Sequence, residues 1–252
     1  EYASKISDVN IVSDSSSNNF TDVADLNSWN ISDNADYFFH CANETVHGLE
    51  IHDPIETSSP VICDMSSTIA SRPIDVNKYD LIFAGAQKNL GIAGVTIVVV
   101  KNKLLSGVNT ELLPMFDYSS HANEASMLNT SPVFSWYVSG LVFDWIHEQG
   151  GVEEMARINK LKSDLLYDYI DQSEFYNNPV SKPYRSWMNI PFTLSRDGLD
   201  DKFLSSAEES GLLNLKGHRT VGGMRASVYN AMPIEGIKRL ISFMDEFAKL
   251  HE

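Results

Sequence analysis

A basic balance is what this 252-residue chain most lacks: 19 Lys and Arg stand against 34 Asp and Glu, a formal net charge of -15. A general role on nucleic acid is thereby excluded, because affinity for a phosphate backbone comes from a face of clustered Lys and Arg. Cysteine is nearly absent. Cys41 and Cys63 are too few for a disulfide framework or a zinc-ligand spacing, which favours the cytoplasm. Long hydrophobic runs are missing too. The run around Val95 to Val100 is far short of the roughly 20 residues that cross a bilayer, and no charged-then-apolar leader precedes it, so the sequence reads as a soluble protein without a membrane partner. Asn19, Asn30, Asn43 and Asn129 each begin an N-x-[ST] sequon, and without a secretory signal these read as chance. The opening "EYASKISDVNIVSD" has no initiator methionine and enters a strand-like "VNIV" after a few helix-like residues, which reads as a chain cut within a longer one.

What is present suffices for one large globular domain, or one domain and a smaller companion, at 43% hydrophobic content. The first half alternates the strand candidates "VNIVSD", "YFFHCAN", "VICDMSS", "LIFAGA" and "VTIVVVK" with polar connections, the pattern of a largely parallel α/β sheet. "FSWYVSGLVFDWIHEQGG" and "VEEMARINKLKSDLLYDYIDQ" carry apolar residues at helical spacing, the first ending in a glycine pair suited to a C-cap. The second is long enough to bridge two domains. Beyond "NNPVSKP" the pattern becomes strand "SWMNIPFTL", helix "DDKFLSSAEESG", strands "LLNLKG" and "MRASVYN", and the helix "PIEGIKRLISFMDEFAKLHE", a small α+β unit. The expected division is residues 1–150 and 151–252.

Two clusters carry chemistry. "GAQKNLG" sets Lys88 in a glycine-flanked turn between two buried-strand patterns, and "VICDMSS" ends an apolar strand on Asp64. In open α/β sheets ligands bind beyond the carboxyl ends of strands, so both groups are expected to share one crevice. An aspartate for a pyridinium nitrogen and a lysine for a Schiff base are the groups that pyridoxal 5'-phosphate (PLP) chemistry needs. Such a pair is common in α/β proteins, and Asp64 alone reads equally as a turn or cap residue. The second cluster, "LKGHRTVGGMRASVYNA", gathers Lys216, His218, Arg219 and Arg225 in an otherwise acidic chain. It is either a solvated loop or an anion site, since guanidinium groups bind carboxylates and phosphates bidentately.

The ordered series "CANETVHG", "CDMSS", "GAQKNLGIAGVTIVVV", "LNTSPVFSWYVSGLVFDWI", "MNIPF" and "LKGHRTVGGMRASVYNAM" resembles the phosphoserine aminotransferases, a family of fold-type I PLP enzymes, over nearly the whole chain. The resemblance implies a fold-type I large domain, here incomplete, with a mainly parallel sheet flanked by helices, and a small C-terminal α+β domain. It implies transamination between 3-phosphohydroxypyruvate with glutamate and phosphoserine with 2-oxoglutarate. Lys88 matches the lysine that holds PLP and moves the proton, and Asp64 the acid on the ring nitrogen. Thr45 resembles the residue beside the ring hydroxyl, and Ser66 and Gln87 groups on the cofactor phosphate. Asn129 and Thr130 resemble the pair lent to that phosphate by the other subunit of a homodimer. His218 and Arg219 resemble contacts to the substrate phosphate, and Arg225 the clamp on its α-carboxylate. Leu128 and Trp187 depart from the family pattern, and family members carry a further N-terminal segment with binding groups of its own. A different fold-type I PLP enzyme, or a non-catalytic fragment that cannot hold PLP, are the competing readings.

Overall fold

The computed structural model describes residues 2–106 and 112–251. Its first sheet runs β1 (Phe38–Cys41), β4 (Val61–Asp64), β5 (Leu81–Gly85), β6 (Thr96–Val100) in that spatial order. The β1–β4 and β4–β5 pairs are parallel and β5–β6 is antiparallel, so the sheet is mainly parallel with a reversed edge. Alternating burial in β1 and β4 packs Phe38, Val61 and Cys63 into a core with Ile55, Met65 and Tyr79. Between β1 and β4 a short hairpin forms from β2 (Asn43–Glu44) and β3 (Leu49–Glu50). Its Gly48 is at φ 69, and a Cβ there would come within 2.3 Å of Pro191 Cδ, so the hairpin lies hard against the C-terminal unit.

A short helix, α1 (Tyr118–Asn123), precedes α2 (Val133–Glu148) and α3 (Gly151–Gln172). The turn from β5 to β6 is clasped by α2: Ser135 Oγ donates to Ala93 O at 2.9 Å, and a Cβ on Gly91 (φ 153) would meet Ser139 Oγ at 2.6 Å. Gly150 (φ 105) lets the chain reverse from α2 into α3. Each helix starts one residue before the sequence expected for it, at Val133 and Gly151. Along α3, Met155 packs with Ala86, Leu90 and Ile146 beside the first sheet, while Leu166, Tyr167 and Ile170 enter a second core. That core is built by β7 (Tyr176–Asn177), β8 (Asn189–Leu194), α4 (Asp200–Glu209), β9 (Met224–Ser227) and α5 (Ile234–His251), with β7–β8–β9 antiparallel. Phe192, Phe203, Phe247 and Tyr176 meet there edge to face.

Two expected strands do not form. Residues 8–15 are irregular: Val9 and Ile11 are exposed, no sheet neighbour lies beside them, and the side chain of Asn10 bonds instead to Asn30 O and Ser32 Oγ. "LLNLKG" is interrupted by Asn214 in the left-handed region (φ 61), which leaves only an isolated bridge from Lys216 to Met224. Glu252, the last residue of the expected C-terminal helix, lies outside the described residues. Among those residues no helix is long and apolar enough to cross a membrane, and no group of three His, Cys, Asp or Glu could hold a metal ion.

Candidate active site

Because β4 and β5 are parallel, Asp64 and the turn after Gly85 emerge at one edge of the sheet. Asp64 Oδ1 accepts the backbone N–H of Ser66 at 2.8 Å, and Oδ2 makes no hydrogen bond among the described residues. Ser66 Oγ accepts the N–H of Gly85 at 3.1 Å. Gln87 folds back over that same glycine, where a Cβ would come within 2.5 Å of Gln87 Oε1. Ser66 and Gln87 thus flank one point of bare backbone at the strand ends.

Lys88 is half-buried and its Nζ donates to Thr45 Oγ1 at 2.8 Å. Burial holds the amine below the ordinary lysine value, and the Arg225 charge acts in the same direction, while Asp64, Cys41 and Glu44 oppose it. Arg225, on β9, donates from Nη1 to the backbone oxygen of the same Thr45 at 3.2 Å. Its Nε is buried without a hydrogen-bond partner among the described residues. An unpaired buried guanidinium N–H is costly, and an incoming anion is the group that would satisfy it. One hairpin residue therefore brings the lysine of the first sheet and the arginine of the second unit together.

His218 and Arg219 lie in the exposed turn before β9. His218 Nδ1 is 2.8 Å from Thr220 Oγ1, and the N–H groups of Val221 and Gly222 donate to His218 O. Gly217 is required there, since a Cβ would meet Gly222 O at 2.0 Å. Burial, and next the charge of the nearby His218, push His47 in the hairpin below the ordinary histidine value. Asn129 and Thr130 are exposed, bonded to each other through Asn129 Nδ2 and Thr130 O at 3.1 Å, and no hydrogen bond among the described residues joins them to Lys88.

Several polar residues of the site carry no signal of their own in the sequence. Tyr229 Oη accepts from Asn189 Nδ2 at 3.1 Å. Asn189 Oδ1 and Ser67 Oγ both accept from Asn43 Nδ2 at 2.9 Å. Asn89 Oδ1 accepts the Asn230 N–H at 3.0 Å. These tie hairpin, first sheet and C-terminal unit into one buried network; only their position inside quoted motifs such as "MNIPF" and "SVYNAM" hinted at it. Trp187 packs on His52 and Arg72, and its backbone N–H donates to Glu50 Oε2 at 3.0 Å. Cys41 is pushed up to about 12, first by burial, so its thiol is protonated and no nucleophile at neutral pH.

The chain is similar to proteins of known identity over most or all of its length. The phosphoserine aminotransferase of Acinetobacter baumannii (strain ACICU) is 51% identical over 227 residues, covering 90% of this chain and 63% of that protein. That of Ectopseudomonas mendocina (strain ymp) is 48% identical over 252 residues, all of this chain and 70% of that protein. The chain therefore spans about two thirds of the length of these relatives, and slightly less for the first. Among solved structures, phosphoserine aminotransferase from Bacillus circulans subsp. alkalophilus superposes with a TM-score of 0.96 at 40% identity, covering 99% of this chain and 70% of that one. The PLP-bound phosphoserine aminotransferase of Trichomonas vaginalis gives 0.84 at 37% identity, with 89% and 64% covered. The fold is thus the fold-type I aminotransferase fold, and since residues 5–240 match the model for aminotransferase class-V, the chain belongs to that family.

Proposed function

We propose that this chain serves a PLP-dependent transaminase that interconverts 3-phosphohydroxypyruvate and L-glutamate with O-phospho-L-serine and 2-oxoglutarate. The observation that carries the reading is the convergence of Lys88 and Arg225 on Thr45, beside the strand ends that carry Asp64. The donor set suits the cofactor: an acid with an unused oxygen, a partly desolvated amine, and a point of bare backbone between Ser66 and Gln87. When bound, PLP supplies an aldehyde for amine exchange and a ring that withdraws electrons from the reacting carbon. Asp64 would keep a proton on the ring nitrogen. Lys88 is both nucleophile and base, a dual role its lowered pKa favours by raising the fraction of free amine near neutrality. Thr45 orients that amine. Thr45 would also take the ring hydroxyl, and Ser66 and Gln87 would hold the cofactor phosphate, joined by the partner's Asn129 and Thr130.

Arg225 receives the α-carboxylate common to every substrate, through the guanidinium edge that now lacks a partner. His218 and Arg219 receive the distal phosphate, or the γ-carboxylate in the glutamate half-reaction. The homodimer in this reading is supported by an exposed apolar surface that includes Met115, Phe116, Val133, Phe134, Trp136 and Tyr137, from 59% to 74% exposed. The division into a cofactor-binding unit, 1–150, and a unit, 151–252, that brings the carboxylate clamp belongs to the same proposal, as does a cytoplasmic setting, which suits two free cysteines. The test mixes the protein with PLP and follows the visible absorbance as amino donors are added. Phosphoserine and glutamate are expected to change the spectrum and alanine is not. A response to alanine alone would assign the site to a different transaminase, and sedimentation as a monomer would remove the shared site.

A further inference from the structure

Lys162, on α3, has no exposed surface, yet its Nζ donates to three main-chain carbonyls: Val228 at 3.2 Å, Tyr229 at 2.8 Å and Met232 at 3.0 Å. An ammonium has three N–H groups, and here all three are used. The acceptors all belong to the turn that joins β9 to α5. One helical turn earlier, the fully buried Asn159 donates from Nδ2 to Asn230 Oδ1 at 2.8 Å and to Ser71 O at 2.9 Å. That β9–α5 turn in its turn reaches Lys88 by two routes. The Asn230 N–H is held by Asn89, the next residue in the chain, and Tyr229 bonds Asn189, which holds Asn43 of the hairpin whose Thr45 accepts the Lys88 amine.

Burying an ammonium is expensive, and an apolar side chain of similar length would fill the space at less cost if packing were the sole requirement. A cation that collects three carbonyls does something packing cannot: it fixes the direction of backbone groups in a turn with no strand or helix to define them. We infer that Lys162 is a positioning residue, which locks the 228–232 turn and, through Tyr229 and Asn230, sets the place and the dry surroundings of the Lys88 amine. The inference rests on the reading of Lys88 as the reacting amine. The geometric claim itself needs no cofactor, and is tested without one.

The measurement is the pH dependence of acetic anhydride labelling, read on the Lys88 peptide by mass spectrometry, in cofactor-free wild type, Lys162→Met, Asn159→Ala and Leu166→Ala. Leu166 is a fully buried residue of the same helix in the second core, and its variant controls for plain destabilisation. The charged or titratable groups around Lys88 are Asp64, Cys41, Arg225 and Glu44, and none is altered. In Lys162→Met the labelling midpoint of Lys88 is expected to move up, toward the ordinary lysine value, as water enters. The Asn230 amide is expected to exchange its hydrogen roughly 10- to 100-fold faster, the scale of losing hydrogen bonds to a charged group. Leu166→Ala should leave both unchanged. A folded Lys162→Met protein with the wild-type midpoint overturns the inference, as does an equal shift in Leu166→Ala. If Lys162→Met does not fold, Asn159→Ala decides by the same two readings. Absorbance on adding PLP to wild type is a separate result, so failure of the functional reading and failure of the positioning claim are distinguishable.

Discussion

The turn after β5 and the turn after β9 each close on a lysine, and the two lysines are spent differently. Lys162 Nζ gives all its N–H groups to carbonyls, whereas Lys88 Nζ has one hydrogen bond among the described residues, to Thr45 Oγ1, and lies half-buried among charges of both signs. Burial lowers both amines, Lys162 to about 8 with no other cause acting. A lowered pKa therefore does not single out the reactive lysine. What does is unspent donor capacity beside an acid and an arginine with an unpaired N–H.

The comparison breaks most visibly by deleting each lysine in turn. Lys88→Ala is expected to reduce transamination by at least roughly 10²- to 10⁴-fold, the scale of losing a general base, while the urea midpoint barely moves. Lys162→Met should do the reverse in stability: about 2–4 kcal/mol is expected to go, because three buried carbonyls lose their shared partner. Urea denaturation of both variants checks the pair, and equal stability losses would erase the distinction.

Smaller effects sharpen the picture within the substrate site. Loss of Arg225 should damage the glutamate and phosphoserine half-reactions together, since both donors carry an α-carboxylate. Arg219→Ala should cost phosphoserine more than glutamate, because a phosphate offers more oxygens, with about a tenfold to hundredfold loss in kcat/KM per contact. Single-turnover absorbance changes with each donor measure this; equal losses in Arg219→Ala would reverse the two assignments.

The smallest expected effect lies away from both lysines. Asp171 is held down to about 2, first by its hydrogen bonds to Arg185 at 2.7 and 2.9 Å and then by Lys182. Its folded pKa is below the unfolded value, so its contribution is fully present above about pH 4 and is lost as pH falls through 2. Asp171→Asn should flatten that part of the acid denaturation curve by on the order of 1–2 kcal/mol after solvent screening. The Lys88 labelling midpoint should not respond.

Much of this molecule was legible before any coordinates. Strands β4 and β5 are largely buried aliphatic runs bounded by turn residues, and α2 and α3 follow helical spacing; β6, which also reads as a buried strand, is instead a half-exposed edge strand with Thr96 and Val99 exposed. The irregular segments 8–15 and 212–217 mimic strands in their apolar residues, but an exposed face in one and the left-handed Asn214 in the other prevent pairing. Lys88 and Asp64 were found because strand ends and charge stand out. Asn43, Asn89, Asn189 and Tyr229 were not, because an amide or phenol says nothing about burial until distant segments meet: Asn43 and Asn189 are 146 residues apart. Lys162 was hidden for a related reason. In a helix with many charged residues it reads as one more solvated lysine.

The most direct test of the central claim is borohydride reduction of the protein mixed with PLP, followed by peptide mass mapping. The account expects a visible absorbance that disappears on reduction and a cofactor mass on the Lys88 peptide, with Lys162 unmodified. No absorbance, or a mass found on other lysines while Lys88 stays free, would contradict it.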